Sequence, residues 1–493
     1  SSEAMVFGVA LPPTTPTYDD EDLTGPEFVY LCSDNGEVDG TTDLTLPQLH
    51  KIKQVLAEQN IEAGTSARTV RLAAVSNGTI SDLTTTTSRA ITGGGDALLS
   101  DSAFISGVSA FNKAYFTDGL TYKVYDPDAD TVSDWAAEKG EIPPRAKVVS
   151  FWRGRMILAR DPEDPQDWHM SALGDPDNWD KNPPVLVATM AVSGNNSRCG
   201  ITPDIVNTLI PYNDDLLLFG CDSNIYRLTG DPMAGGQMDT VSTVTGIAFG
   251  EAWCKDPEGT VYFFGSRGGV FAMSPQGEIV SISDKTIERR LQDIDLERYR
   301  IKLVWNDREQ GINVFQVPYY HDGILLTSWF WDRRHNAWFE DELTDASKQC
   351  SATAIMDGDA YNDRVLLIGA EDGYVRKYDS AAAGDDGDRI NSKVLFGPLV
   401  QEESGMNLRY CKLGVELATD QNGVEYDWYV SRAVDTKGDP VRSGALNSGP
   451  NAYPGGMFTG ASSWVRLRNG ASAERWALEA LSLGVYPAGR KRL

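Results

Sequence analysis

Histidine is scarce in this chain: 493 residues hold only four, His50, His169, His321 and His335. None sits in an HExxH pattern or beside another histidine. A zinc site or an acyl-transfer triad would therefore need partners that only the fold could bring together. Cysteine is nearly as thin. Cys32, Cys199, Cys221, Cys254, Cys350 and Cys411 form no CxxC pair, and their gaps are long and irregular. That spacing excludes a zinc ribbon and a dense disulfide framework, and leaves the expectation of mostly buried free thiols made in a reducing cytoplasm. No apolar run reaches the roughly 18 residues of a membrane span, so no bilayer insertion is expected. GxGxxG, P-loop and GxSxG motifs are missing. Ser1-Ser2-Glu3-Ala4-Met5 lacks the basic start and apolar core of a signal peptide, and the lack of Met at position 1 fits a trimmed or partial chain.

Positive charge is also short. Lys and Arg number 44 against 71 Asp and Glu, a formal net charge of -27. Such a surface repels DNA and anionic membranes instead of recruiting them by counterion release. The basic residues form no stripe with aromatics, and Arg289-Arg290 and Arg333-Arg334 are isolated pairs. Sequence-specific nucleic-acid recognition is not expected. Acidic turns such as Asp126-Pro127-Asp128-Ala129-Asp130 space carboxylates as calcium loops do, but the sixth position lacks Gly and the twelfth is Ala137. Asp357-Gly358-Asp359 and Asp385–Asp388 read the same way, as solvated turns. No catalytic, cofactor or metal residue is assigned, and no enzyme activity is expected.

What is present points to strands. Hydrophobic residues make up 41% and aromatics 10%, enough for sizeable cores, while Gly 47 and Pro 24 suit many tight turns. Residues 1–65 read as an N-terminal arm, with Pro12-Pro13, Pro16 and the run Asp19-Asp20-Glu21-Asp22, followed by one short helix. In that helix Leu49, Ile52, Val55 and Leu56 recur at helical spacing after Thr45 and Pro47. Strands begin near residue 66, with Thr69–Val75 and the turn Ser76-Asn77-Gly78.

Between about 105 and 380 one pattern repeats. A polar turn leads into a strongly apolar strand, then a Gly turn, then an aromatic strand. Asn213-Asp214-Asp215 precedes Leu216–Phe219 and Asn224–Leu228; Pro257-Glu258-Gly259 precedes Val261–Phe264 and Gly269–Met273; Asn362-Asp363-Arg364 precedes Val365–Ile368 and Gly373–Tyr378. Looser copies start at Phe111, Trp152 and Asn306. The apolar strands recur every 45–60 residues, the range of propeller blades with loop insertions. A second echo, an aromatic strand and an Asp-led turn closed by Trp135, Trp179 or Trp338, reads as an outer hairpin whose aromatics wedge between neighbouring sheets. Lone four-stranded sheets leave two apolar faces in water, and radial packing buries both. Residues 66–390 are therefore expected to form a β-propeller of about six to seven blades, against the alternative of paired β-sandwiches. Lys285–Tyr299 reads as a helical insertion. Residues 391–493 read as an antiparallel β-sandwich with strands near 409–418, 426–433, 463–468 and 476–485, a long loop over 443–460, and a basic tail, Arg490-Lys491-Arg492. The fold class is all-β.

Several phrases resemble phage tail β-propeller proteins, the nozzle or packaged-DNA-stabilising proteins of short-tailed phages. They are Trp168-His169-Met170-Ser171 with Gly174–Trp179, Ile210–Gly220, Trp331–Trp338, and Ala477–Leu481 with Pro487–Arg490. The likeness covers about 100–380 and the final domain. It implies a homo-oligomeric ring, usually a hexamer, beneath the portal and its adaptor. Such a ring extends the DNA channel, helps retain the packaged genome and anchors other tail proteins. The chain would then belong to the virion tail, assembled in the host cytoplasm, with genomic DNA passing through without sequence-specific contact. The competing reading is a carbohydrate-binding or glycan-degrading propeller. Sialidase Asp boxes (S-x-D-x-G-x-T-W) find only a poor match in Ser431-Arg432-Ala433-Val434-Asp435. A cellular scaffold propeller is a third possibility.

Overall fold

The computed structural model describes residues 105–493 apart from short stretches, the longest of them 357–363, 401–405 and 470–475, together with the backbone of five strands between residues 5 and 90. Nearly all of the regular structure is β. The chain divides into two compact units, Ser1–Tyr378 and Asp379–Leu493.

Unit 1 contains five four-stranded antiparallel sheets, each a meander of strands in sequence order; in the second of them the two-residue strand Asn178–Trp179, paired with Lys139–Gly140, intervenes. Sheet 1 runs Ser106–Ala110, Lys113–Thr117, Tyr122–Asp126 and Thr131–Asp134. Sheet 2 runs Val148–Trp152, Arg155–Ala159, Asp167–Met170 and Val192–Asn195. Sheet 3 runs Val206–Asn213, Leu216–Cys221, Ile225–Thr229 and Gln237–Ser242. Sheet 4 runs Trp253–Lys255, Val261–Phe264, Val270–Met273 and Ile279–Ser281. Sheet 5 runs Tyr299–Asn306, Gly311–Pro318, Ser328–Asp332 and Ala337–Asp341. A sixth meander, Cys350–Met356, Val365–Ala370 and Val375–Lys377, shares an eight-stranded sheet with five N-terminal strands. There Met5–Phe7 pairs with both Gln54–Ile61 and Cys350–Met356, and Gln54–Ile61 also runs beside Ser106–Ala110 of sheet 1.

The second strand of each sheet is the apolar one, because it is flanked on both sides and covered on both faces. Leu217, Leu218 and Phe219 are all buried, as are Val261–Phe264 and Met156–Ala159. Side chains alternate in direction along a strand, so each face feeds a different core, and the cores lie between successive sheets. Val108, Tyr115, Met156 and Leu158 join sheets 1 and 2. Ile157, Trp168, Leu217 and Phe219 join sheets 2 and 3. Leu218, Ile225, Val261 and Phe263 join 3 and 4, and Tyr262, Phe264, Ile312 and Trp331 join 4 and 5. The closing tryptophans sit in these seams as expected. Trp135 and Trp179 are buried together between sheets 1 and 2, with ring centroids 5.9 Å apart. Trp338 packs between sheets 4 and 5 and donates its indole N–H to the Ile282 carbonyl at 3.0 Å. The inserted helix is short, Glu288–Gln292, and drives Leu291 into that same core.

Unit 2 has two sheets. The four-stranded sheet is ordered Lys393–Val400, Ser462–Asn469, Val424–Ser431, Pro440–Leu446; the three-stranded sheet is ordered Gly449–Gly460, Met406–Leu417, Leu478–Arg490. Leu413, Val415 and Leu417 from one sheet and Tyr426, Trp428, Val465 and Leu467 from the other share one core.

Two expectations are corrected. The helix expected around residues 46–57 gives way, over Gln54–Ile61, to a strand paired with Arg68–Ser76. Four apolar residues at helical spacing cannot outweigh a neighbouring strand that offers every backbone group a partner. Thr45, Pro47, Leu49 and Ile52 lie outside the described residues. The loop expected over 443–460 is two strands, Pro440–Leu446 and Gly449–Gly460, because the long Met406–Leu417 strand supplies a ladder for Ser- and Gly-rich backbone. Asp385 and Asp388, read as part of a solvated turn, close a small hairpin that pairs Gly384–Asp385 with Asp388–Arg389.

Candidate functional site

The first strands of all six meanders converge. A cavity of about 460 Å³ is walled by Val108, Val149, Leu209, Glu251, Lys302 and Thr353, one residue from the opening strand or its approach in each sheet. Each sheet hides its second strand between neighbours, so its first strand is left to face this shared space.

The wall is mostly apolar, with valines, leucines and tryptophans around a few charged groups, and Glu251 Oε1 is buried in it without a hydrogen-bond partner. Lys302 is paired with Glu251 across the junction of sheets 5 and 4. Burial pulls the Lys302 ammonium down to about 7. At the rim Arg364 pairs with Asp307, and the Lys255 ammonium donates to the Tyr212 carbonyl at 3.1 Å. Toward the other end Arg160 lies over the Phe249 ring at 4.2 Å and donates to Asn207 and to the Val206 carbonyl. Its guanidinium is pulled down chiefly by burial. Such groups hold strands together.

Arginines also tie the sheets at their turns. Arg153, between the first two strands of sheet 2, donates to the Asp214 carbonyl and the Asp215 carboxylate at 2.7 Å in sheet 3. Beside it the Trp152 indole donates to the Asn213 carbonyl at 2.6 Å. Arg333 of sheet 5 reaches Asp256 and Glu258 of sheet 4. The deepest is Arg155, 1% exposed, which donates to the carbonyls of Ser171, Met190 and Ala188 and pairs with Asp231 of sheet 3 at 3.4 Å. Sequence reading passed over these ties, because an arginine among many carboxylates gives no signal until the strands are arranged.

The residues weighed for chemistry scatter. His169 lies inside sheet 2, where its Nδ1 meets the Lys181 ammonium at 2.9 Å; burial, then Lys181, pushes its imidazole down to about 4. His335 sits in a turn against Asp332 at 2.7 Å, and that contact holds the Asp332 carboxyl far below the usual range. His50 and His321 lie outside the described residues. Asp126 is occupied by Lys113 at 3.0 Å and the Ala129 N–H at 3.1 Å, while Asp128, Asp130, Asp357 and Asp359 are not described. Among the described residues no three His, Cys, Asp or Glu side chains gather as a metal-binding group, and no disulfide joins the described cysteines. No described helix is long and apolar enough to cross a membrane.

No family model matches the chain, and no curated protein matches it. Among solved structures, the extracellular domain of a putative hybrid two-component system from B. thetaiotaomicron is similar at 11% identity and a TM-score of 0.41, over 79% of this chain and 45% of that one. PorZ, a surface component of the type-IX secretion system of Porphyromonas gingivalis, is similar at 12% identity and a TM-score of 0.37, over 88% of this chain and 57% of that one. The exo-β-1,3-galactanase of Phanerochaete chrysosporium is similar at 9% identity and a TM-score of 0.28, over 81% and 97%. The chain thus spans about half the length of the first two.

Proposed function

We propose that this chain is a structural, non-catalytic subunit of a short-tailed phage tail, of the nozzle or packaged-DNA-stabilising kind. In this reading unit 1 is a β-propeller and unit 2 an antiparallel β-sandwich. The sharing of one cavity by six first strands supports the propeller, as does the run of Met5–Phe7 and Gln54–Ile61 between the last meander and sheet 1.

The observation that carries the functional reading is where the resembling phrases fall. Trp168 fills the seam between sheets 2 and 3. Asn213-Asp214-Asp215 receives Trp152 and Arg153 from the neighbouring sheet. Trp331 and Trp338 fill the seam between sheets 4 and 5, and Arg333 bridges the same pair. The likeness lies in joints of a scaffold, and joints matter most in a part that must stay rigid. Copies would assemble as a ring, about six of them, beneath portal and adaptor, with genomic DNA sliding past carboxylates that offer phosphates no cation.

Purified full-length chain, imaged by electron microscopy and weighed by light scattering, tests this. A closed ring with an open pore and an acidic lumen is expected. A monomer that releases sugar from glycans, or a ring with a basic lumen, overturns it.

A further inference from the structure

The cavity shared by the six first strands has the shape of a cup. Toward one end these strands meet through their backbones or a short side chain. The Gly250 N–H donates to the Asn207 carbonyl at 3.3 Å, and the Leu303 N–H to the Glu251 carbonyl at 3.2 Å. Ser106 Oγ accepts from the Val149 N–H at 3.0 Å and donates to the Val149 carbonyl at 3.3 Å. Toward the other end long side chains span the gap. The Lys255 ammonium reaches the Tyr212 carbonyl, the Trp152 indole the Asn213 carbonyl, and the Arg364 guanidinium Asp307. The sheets are thus drawn together at the level of Lys302 and Glu251 and held apart at the level of Lys255 and Arg364, which form a mouth.

The charge of this cup is opposite to that of the unit around it. Residues 1–378 hold 57 Asp and Glu against 31 Lys and Arg, a net of -26, whereas residues 379–493 hold 14 against 13, a net of -1. Of the residues that line the cup, Lys255, Lys302 and Arg364 are cationic and only Glu251 is acidic. Glu251 is taken by Lys302, so the excess lies at the mouth. There Lys255 meets neutral groups, the Tyr212 carbonyl and, 5.5 Å from its ammonium, the Tyr212 ring. The Arg364 guanidinium carries several donors and can hold Asp307 and a second acid group together. Below the mouth the wall is apolar, with Val149, Leu209 and Val304 around a half-buried Trp253. The volume of about 460 Å³ falls in the range of about 300–1,000 Å³ that takes small organic molecules. We propose that the cup binds a small amphipathic anion, its apolar or aromatic body against this wall and its acid group between Lys255 and Arg364. Around the rest of unit 1 carboxylates repel such a molecule, so attraction is confined to the mouth. The site lies within one chain and does not depend on ring formation.

Fluorescence titration of the full-length chain with anilinonaphthalene sulfonate, an aromatic anion that brightens in apolar surroundings, tests it. One saturable, blue-shifted site per chain is expected. Octanoate should empty it, and octylammonium, with the same tail and the opposite charge, should not. Lys255 and Arg364 are exposed, so Lys255→Met and Arg364→Met should keep the wild-type circular dichroism. Each should weaken the probe by about tenfold, the loss of one charge-assisted hydrogen bond. Leu186→Asp, at a 73% exposed apolar position that does not line the cup, should change nothing. The absence of a saturable site, displacement by octylammonium, an affinity that either mouth variant leaves unchanged, or loss of the probe with Leu186→Asp overturns the proposal.

Discussion

Unit 1 carries almost the whole acidic excess, -26 of -27, and spreads its apolar side chains over a series of seams between successive sheets. Unit 2 is nearly neutral, has a single core between two sheets, and leaves apolar edge strands in solvent. Under the proposed reading the contrast is a division of labour, in which the acidic unit offers a passing polyanion no cation to hold it and the near-neutral unit is left to other contacts. The seams explain how unit 1 tolerates its own charge: successive sheets share apolar cores, and the arginine ties at the turns place cations among the carboxylates.

The largest test of this comparison is Trp168→Ala. Trp168 is fully buried between sheets 2 and 3, its ring 5.9 Å from Phe219 and packed so closely over Gly194 that a Cβ there would sit 2.6 Å from it. Truncation should cost about 3–5 kcal/mol. If the two units are independent in stability, calorimetry shows the unit 1 transition moving down while a second transition stays. Movement of both would merge the units into one cooperative body and break the comparison.

A smaller effect should separate the units by acid. His169 is held neutral by burial and by Lys181, with its pKa near 4 against about 6.5 when unfolded. Between those values the unfolded chain binds a proton that the folded chain refuses, so unit 1 loses stability as pH falls from about 6.5 toward 4. By linkage the loss approaches about 3 kcal/mol. Denaturant melts across that range should show it in the wild type and not in His169→Gln, whose side chain has no proton to gain.

Much of the architecture was legible because its signals are local. Apolar second strands such as Val261–Phe264 are buried on both faces, so they stand out as runs, and their Gly and Asp turns recur at a steady interval. The N-terminal strand Gln54–Ile61 was misread because four apolar residues cannot tell a helix from a strand until the partner is known. Gly449–Gly460 was misread because its composition suits a loop, and only the long strand opposite makes it a ladder. The candidate site was the least legible part. Glu251 and Lys302 are about fifty positions apart, and Arg155 meets Asp231 from another sheet; in a chain with 71 carboxylates, no spacing marks which one an arginine will meet.

The smallest effect sharpens the comparison from the side of unit 2. Asp427 is nearly buried on the outer face of the four-stranded sheet. Burial alone would raise its pKa, but the Ser443 hydroxyl at 2.6 Å and the Arg466 guanidinium at 2.9 and 2.6 Å outweigh that and hold the carboxyl below its usual range. A depressed carboxyl contributes stability that is complete above the unfolded pKa of about 4 and is lost as pH falls through the folded value. Unit 2 should therefore keep its stability through the window in which unit 1 loses its own, and weaken only in stronger acid. Asp427→Asn keeps the shape, can still accept from Ser443, and removes the charge that Arg466 faces. It should cost about 1–3 kcal/mol at neutral pH and flatten the acid limb of unit 2. A unit 2 transition in the Asn variant that still falls steeply below about pH 4 would move the acid sensitivity to other carboxylates and remove Asp427 as the source of the difference between the two units.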